Sequence, residues 1–390
     1  MEKKLLIVAG LLVMVGALTG CLKPSSITTT GASNIATKTS GTITTHSSSA
    51  SILGSVGDLE TTLESIYAQV SPSVILINDN MPATATSAGG PALGSGFVWD
   101  TQGDIVTNNH VIDGASNITV TFSDGTLVDA SVVGADSNSD LAVLKVNPSG
   151  LILQPVNLDK NAPQVGQLAI AIGNPYGEQN TLTVGFVSAV GRLIPTIENA
   201  TGPTYSIPDI IQTDAAINPG NSGGVLLDDA GEVMGITQSI ATTSGSSSGV
   251  GFAIPESIIV QVIPALIASP HVYNHPYLGL TLTSLDPNIA SAMNLPSGQR
   301  GALVEAVTSG SPADKAGLKA GTTNFTDNGA QVTIGGDVIT AFNGQTVKSS
   351  DDLITYLADQ GVVGQSITLT IIRGGKQMNL AVTPAIRPGS

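Results

Sequence analysis

Charge is scarce in this chain. Only 11% of its 390 residues are Asp, Glu, Lys or Arg, against a usual share of about 25%. Lys and Arg number 14 against 29 acidic residues, a formal charge of -15. That balance argues against a nucleic-acid partner, because binding phosphates needs a basic face. Cysteine is scarcer still. One cysteine, Cys21, excludes an intrachain disulfide and a cysteine-based metal cluster. Histidine is limited to four positions, which narrows any search for a general base. Apolar residues are not scarce. At 41% they suffice for sizeable cores, and the length predicts two or three domains. The polar surface must come largely from Ser, Thr, Asn and Gly.

The N-terminus explains its cysteine. Lys3 and Lys4 precede the apolar run Leu5 to Leu18, and Leu18-Thr19-Gly20-Cys21 follows. A basic start, a short apolar stretch and small residues before a break describe a secretory signal over residues 1–20. The last four residues resemble a lipobox, in which Cys21 is lipidated and becomes the mature N-terminus; the alternative is an uncleaved membrane anchor. Both readings tether the rest of the chain to a membrane outside the cytoplasm. Residues 21–57 are dominated by Ser, Thr, Gly and Ala and read as a flexible tether, because they bury too little apolar surface to offset the entropy of ordering.

From Asp58 to Val70, Leu59, Leu63, Ile66 and Val70 recur at helical spacing, and Ser71-Pro72 ends the run. Twelve short β-type runs follow as far as Ile254, broken by Gly, Asn, Asp and Pro. They fall into two sets of six. No long helix separates them, which suggests a mainly β fold of antiparallel barrel or sandwich type; the two sets of six fit two six-stranded antiparallel β-barrels. Residues 81–93 read as a polar, Gly-rich loop. Pro255 to Ser269 reads as a helix closing a first domain over residues 58–269. A linker over residues 270–276 leads to a second domain over residues 277–387, with the hairpin signal Asn343-Gly344 and a helix over Asp351 to Asp359.

Chemistry concentrates in Asn218-Pro219-Gly220-Asn221-Ser222-Gly223-Gly224. Glycine admits backbone conformations closed to other residues and leaves room for substrate. A tight turn here can expose the Ser222 hydroxyl and aim the N–H groups of Gly220 and Ser222 at one point, an oxyanion hole. The hydroxyl needs a base. His46 lies in the tether, and His271 and His275 flank the Pro-containing linker. His110, in Thr107-Asn108-Asn109-His110-Val111, is the histidine a folded core can fix. The imidazole in turn needs a carboxylate. Asp140, at the entrance to Leu141-Ala142-Val143-Leu144-Lys145, is one candidate; Asp136 is its rival, with Asp113 and Asp104 behind.

The order His110, Asp140, Ser222 is that of the chymotrypsin arrangement. The blocks Thr107-Asn108-Asn109-His110-Val111, Ser139-Asp140-Leu141-Ala142-Val143-Leu144-Lys145 and Asn218 to Gly224 closely resemble the catalytic blocks of the HtrA/DegP family. These are trypsin-like serine endopeptidases of the cell envelope with C-terminal PDZ domains. The resemblance spans about residues 60 to 385. It implies His110 as general base, Asp140 as its orienter, Ser222 as nucleophile and the N–H groups of Gly220 and Ser222 as the oxyanion hole. It places Ile217 and Ile240 at the specificity pocket, implying cleavage after a small or medium apolar residue. The second domain resembles a PDZ domain. There Tyr277-Leu278-Gly279-Leu280 matches the carboxylate-binding loop, with the N–H groups of Leu278, Gly279 and Leu280 facing a peptide C-terminus. One departure is the Gly/Thr/Asn-rich insert over residues 319–335, which puts access to the groove in question.

The expected activity is cleavage of unfolded or damaged proteins, with the PDZ domain binding substrate or regulatory C-termini. No cofactor, metal or nucleotide is expected, and the resemblance implies a homotrimer or higher oligomer. The competing class is a non-proteolytic chaperone or PDZ adaptor with a silent triad. A third reading is a processing protease answering one peptide signal.

Overall fold

The computed structural model describes residues 49–81, 90–174, 180–195, 206–238 and 249–388. Cys21, His46 and Ile240 lie outside the described residues. The first helix, α1, runs Ser49–Val70. It begins earlier than Asp58, so the end of the stretch read as tether is helical. A helix nucleated downstream extends at little cost into residues of modest propensity when no proline intervenes. Among the described residues, no helix is long and apolar enough to cross a membrane.

The first barrel contains β1 (Val74–Met81), β2 (Gly90–Val98), β3 (Asp104–Thr107), the single-turn helix α2 (Asn109–Ile112), β4 (Ile118–Thr121), β5 (Leu127–Asp136) and β6 (Leu141–Lys145). Its closed order is β1-β2-β3-β6-β5-β4. Met81 pairs with Gly90, so both ends of the loop expected over residues 81–93 are strand, and only residues 82–89 lie outside the description. The second barrel contains β7 (Leu168–Gly173), β8 (Thr181–Pro195), β9 (Ser206–Thr213), β10 (Val225–Leu227), β11 (Val233–Gln238) and β12 (Gly251–Pro255). It closes in the order β10-β11-β12-β9-β8-β7, and helix α3 (Glu256–Ile267) follows.

Successive side chains on a strand point to opposite faces, and on β3, β6, β7, β10 and β11 both faces are buried. On β6, Ala142 and Leu144 join Ile75, Ile77, Val98 and Ile105 inside the first barrel. Leu141 and Val143 point the other way, into a core shared with Ile170, Ile172, Val225, Leu227 and Ile236 of the second barrel. Ile66 and Val70 of α1 and Ile259, Val262, Ile263 and Leu266 of α3 close that shared core. Ala169, Ala171, Leu226 and Met234 fill the second barrel. Strands buried on two sides lose the polar alternation of a half-exposed sheet, which is why they read as unbroken apolar runs. The seam between barrels is therefore a continuous hydrophobic layer, and a site built across it stands on rigid ground.

The C-terminal domain runs through β13 (Pro276–Tyr277), β14 (Leu280–Ser284), α4 (Pro287–Ala292), β15 (Ala302–Val307), α5 (Pro312–Ala316), β16 (Thr323–Asp327), β17 (Ala330–Ile334), β18 (Val338–Phe342), β19 (Gln345–Thr346), α6 (Ser350–Gln360), β20 (Ile367–Arg373), β21 (Lys376–Val382) and β22 (Ala385–Ile386). Helix α6 is started by Ser349, whose hydroxyl accepts from the Asp352 N–H, an N-cap that satisfies an orphan donor. Asp351 and Asp352 in its first turn suit the positive end of the helix dipole.

The insert over residues 319–335 is the β16–β17 hairpin. Its Val332, Ile334 and Phe325 pack with Leu303, Val338, Leu285 and Ile289. Ala302 and Val304, the neighbours of Leu303 on β15, point instead to the core that holds Leu353 of α6. The hairpin thus covers the sheet face opposite α6. None of its residues lines the groove beside that helix, so the insert leaves the groove's own geometry intact.

Candidate active site and peptide groove

Thr107 ends β3, and the chain turns at once into α2. Four hydrogen bonds tie this turn to one residue. The Asn108 side-chain amide and the Asn109 N–H donate to the Asp140 carbonyl at 3.0 and 3.1 Å. The His110 N–H donates to Asp140 Oδ1 at 2.9 Å, and His110 Nδ1 lies 2.7 Å from Asp140 Oδ2. Asp140 can offer its carbonyl and its carboxylate to the same turn because its φ is 55°. That left-handed conformation is uncommon for a side-chain-bearing residue and is tolerated best by Asp and Asn. The carboxylate side chain is 10% exposed and the imidazole 34%. One ring nitrogen is held from behind while part of the ring faces outward.

The other acidic candidates are engaged elsewhere. Asp136 meets His275 at 2.7 Å. Asp104 meets Lys145 at 3.0 Å, and burial is the main cause that raises its pKa. Asp113 is exposed at the end of α2. A further partner had no signature in the sequence: Gln238 Nε2 donates to Asp140 Oδ2 at 2.9 Å from the end of β11. The amide nitrogen must be the atom facing the carboxylate, since the reverse orientation would set oxygen against oxygen.

Ser222 is buried in the turn between β9 and β10. The turn is laced to both barrels. The Asn221 N–H donates to the Asn218 carbonyl at 3.0 Å, and the Gly223 N–H to the Thr237 carbonyl at 2.9 Å. The Thr237 hydroxyl donates to the Asn221 carbonyl at 2.6 Å. From the first barrel, the Ser95 N–H donates to the Ser222 carbonyl at 2.8 Å. Gly223 explains the glycine after the serine. Its φ is 85°, and a Cβ there would lie 2.1 Å from the Ser95 carbonyl oxygen and 2.5 Å from the Thr107 hydroxyl. The serine turn therefore abuts the strand that delivers His110. Ile217 is buried, and a Cβ on Gly251 would come within 2.5 Å of its side chain.

His110 is thus held by Asp140 in the first barrel, and Ser222 lies in a turn of the second barrel bonded to the first; comparison with known proteins adds the family. Residues 94–236 match the trypsin-like peptidase domain and residues 276–383 the PDZ domain. The solved structure described as "HtrA-type protease AlgW with tripeptide" is 32% identical, with a TM-score of 0.67, covering 84% of this chain and 98% of that one. The chain belongs to the HtrA/DegP family. The chloroplastic Protease Do-like 1 of Arabidopsis thaliana is 42% identical over 76% of this HtrA/DegP chain and 64% of its own length. A "Probable periplasmic serine endoprotease DegP-like" of Brucella suis is 40% identical over 76% of the chain and 53% of its own length. The chain thus spans between half and two thirds of these curated relatives.

In the PDZ domain, Gly279 has φ 82° and packs so closely that a Cβ would lie 2.3 Å from that of Ser311. Tyr277, Leu278, Gly279 and Leu280 line one end of a cavity of about 1090 Å³, with Ile354 and Leu357 of α6 beside them. Ile207 and Val262 of the first domain also line it. Asp159, Asp228 and Glu232 bring ligand atoms within 4.8 Å of one another. Asp159 Oδ1 accepts from Asn161, and Asp228 Oδ1 from the N–H groups of Ala230 and Glu232, so these carboxylates serve to close turns.

Proposed function

We propose that the chain is a serine endopeptidase in which Ser222 is the nucleophile, His110 the general base and Asp140 its orienter. The observation that carries the reading is the 2.7 Å contact between His110 Nδ1 and Asp140 Oδ2, beside a serine turn bonded to the same barrel. Nδ1–H donates to the carboxylate, which leaves Nε2 as the acceptor. Nε2 takes the Ser222 hydroxyl proton as Oγ attacks the scissile carbonyl. The N–H groups of Gly220 and Ser222 receive the developing oxyanion. Nε2–H then protonates the departing amine, and water repeats the sequence on the acyl-enzyme. Loss of the orienting carboxylate costs such a triad about 10⁴-fold in turnover.

Ile217 and Ile240 bound the specificity pocket in this reading, favouring cleavage after small or medium apolar residues. A peptide library cut mainly after Lys or Arg would overturn that assignment. The N–H groups of Leu278, Gly279 and Leu280 hold the carboxylate of a peptide C-terminus, and the apolar lining of the groove selects an apolar last residue. Unfolded polypeptides are the substrates. The N-terminal segment carries the protein across a membrane and tethers it there through Cys21, and the working form is a homotrimer or larger. The periplasmic description of the Brucella relative and the tripeptide named with AlgW support location and peptide binding respectively.

The test is labelling with a fluorophosphonate, with and without C-terminal peptides, alongside degradation of casein and several unrelated denatured proteins. Labelling that disappears in Ser222→Ala, with loss of degradation, is the expected result. A chain that suppresses aggregation equally well with and without Ser222 and never labels is a chaperone or adaptor. A chain that cleaves one protein alone is a processing enzyme.

A further inference from the structure

We infer that Ser95 is a positioning residue for the oxyanion hole, a role that rests on the serine-protease reading above. Ser95 lies on β2 of the first barrel and is fully buried. Its hydroxyl donates to the Gly220 carbonyl at 2.6 Å and accepts from the Asn174 N–H at 2.7 Å. Its N–H donates to the Ser222 carbonyl at 2.8 Å. Its own carbonyl accepts from the Thr107 hydroxyl at 2.7 Å, and Thr107 ends the strand leading to His110. One residue is therefore bonded to both residues whose N–H groups form the hole and to the strand that carries the base.

The chemistry needs such a clamp. Gly220 has φ 93°, a conformation glycine enters and leaves at little cost. The peptide planes on either side of it can rotate unless something outside the turn fixes them. The Gly220–Asn221 plane is fixed at both ends, its oxygen by Ser95 Oγ and its N–H by the Asn218 carbonyl at 3.0 Å. The Ser222 carbonyl is held by the Ser95 N–H. The hole N–H groups belong to the adjoining planes, Pro219–Gly220 and Asn221–Ser222, and the oxygen of the second is held by the Thr237 hydroxyl and the Gly224 N–H. With the planes beside them anchored through Ser95, both N–H groups lose freedom to turn before substrate arrives, and preorganised donors need no reorientation at the transition state. The Ser95 hydroxyl touches no reacting atom, so it acts through the turn.

Turnover of a chromogenic peptide, inhibition by a peptide aldehyde, affinity for the matching cleaved peptide and melting temperature test this in the full chain. Ser95→Ala is expected to lower kcat by about 10- to 100-fold with KM nearly unchanged. The aldehyde, whose adduct places an oxyanion in the hole, weakens by a similar factor, while affinity for the cleaved peptide holds. Ser95→Cys keeps the volume but donates weakly and falls between the two; it also serves if the alanine chain does not fold. A lowered melting temperature with unchanged kcat and aldehyde inhibition overturns the proposal and makes Ser95 a packing residue. If Ser222→Ala also turns over peptide as the parent does, the serine-protease reading fails as well. Ser222→Ala inactive with both Ser95 variants fully active overturns the Ser95 role alone.

Discussion

His275 Nε2 lies 2.7 Å from Asp136 Oδ2, joining the interdomain segment to the turn between β5 and β6. That turn leads directly to Asp140. The Asp136 carboxylate also takes the N–H and hydroxyl of Ser139 and the N–H of Asn138, so it shapes the residues just before Asp140. Tyr273 sets its ring edge-on to His275 at 4.7 Å, and the Arg387 N–H donates to the His275 carbonyl at 2.9 Å. The position of the PDZ domain and the backbone that presents Asp140 are thus mechanically linked.

Removing that imidazole should be costly. Burial pushes the Asp136 carboxyl up, but the His275 hydrogen bond and charge, with Ser139 and Asn138, outweigh it and hold the carboxyl below its ordinary value. His275→Ala strands a buried carboxylate, a change worth about 3 kcal/mol and a fall of about 6 °C or more in melting temperature. A depressed carboxyl contributes stability above its unfolded value and loses it as pH falls through the folded one. The gap between parent and variant should therefore be full at pH 7, begin to close as the stranded carboxylate of the variant takes up its proton, and be gone once the pH has fallen through the parent's depressed value. Melting curves across that range check it, and a gap independent of pH contradicts it.

Asp209, on β9, behaves in the opposite sense. Its carboxyl is pushed up to about 6, first by burial and then by Asp359 of α6, against a hydrogen bond from Gly191. Two carboxyls of the protease and PDZ domains thus repel each other where α6 packs on β8 and β9. An acid with a raised folded pKa destabilises the fold when ionised, and that cost disappears as pH falls from about 6 towards 4. Asp209→Asn should raise the melting temperature at pH 7.5 by about 2 °C, once partial exposure is discounted, and change nothing once the pH is well below the ordinary carboxyl value of 3.8. Asn is the proper replacement because φ here is 55°, which Asn accepts.

Much of this was legible in the sequence because the physics was local. The twelve barrel strands read as short apolar runs between turn residues, and the blocks around His110, Asp140 and Ser222 are contiguous residues that carry the family resemblance. Gln238 and Ser95 were not foreseen, since their roles depend on partners far away in sequence: Gln238 meets Asp140 across 98 positions and Ser95 meets Gly220 across 125. A signal for Ser95 did exist. A serine between two glycines directly precedes the apolar run Phe97-Val98-Trp99, and a Cβ at Gly94 would lie 2.4 Å from Val111, so the glycine marks a close approach. The insert over residues 319–335 could not be placed from composition, because only the fold shows which sheet face lacked a cover.

Gly223→Ala should abolish turnover. The φ of 85° already disfavours any side chain, and the new methyl would overlap the Ser95 carbonyl and the Thr107 hydroxyl at 2.1 and 2.5 Å. Backbone strain and overpacking at one site add to about 3 kcal/mol or more. Gly125→Ala is the control, with φ 83° and nothing within 4 Å, and should cost only about 1 kcal/mol. Casein degradation and melting temperature measured on both variants separate strain from collision. Equal losses in the two would mean that the serine turn is looser than its contacts indicate.

Gln238 tests how tightly Asp140 must be held. Its amide donates to the same Oδ2 that receives His110, so Gln238→Leu removes one donor and leaves the imidazole as the side-chain partner of that oxygen. A hydrogen bond to a charged group contributes about 1.5–3 kcal/mol, and part of that loss should reach the transition state. The expected result is kcat lower by about 10-fold, KM unchanged and fluorophosphonate labelling slowed to match. Gln238→Glu goes further, because it sets a second carboxylate against the first in a buried site where two charges 3 Å apart cannot both persist. Its activity should be lowest near pH 8 and recover in part near pH 6, when one shared proton relieves the repulsion. A Gln238→Glu profile parallel to the parent's, or Gln238→Leu as fast as the parent, would show that His110 alone suffices to orient Asp140.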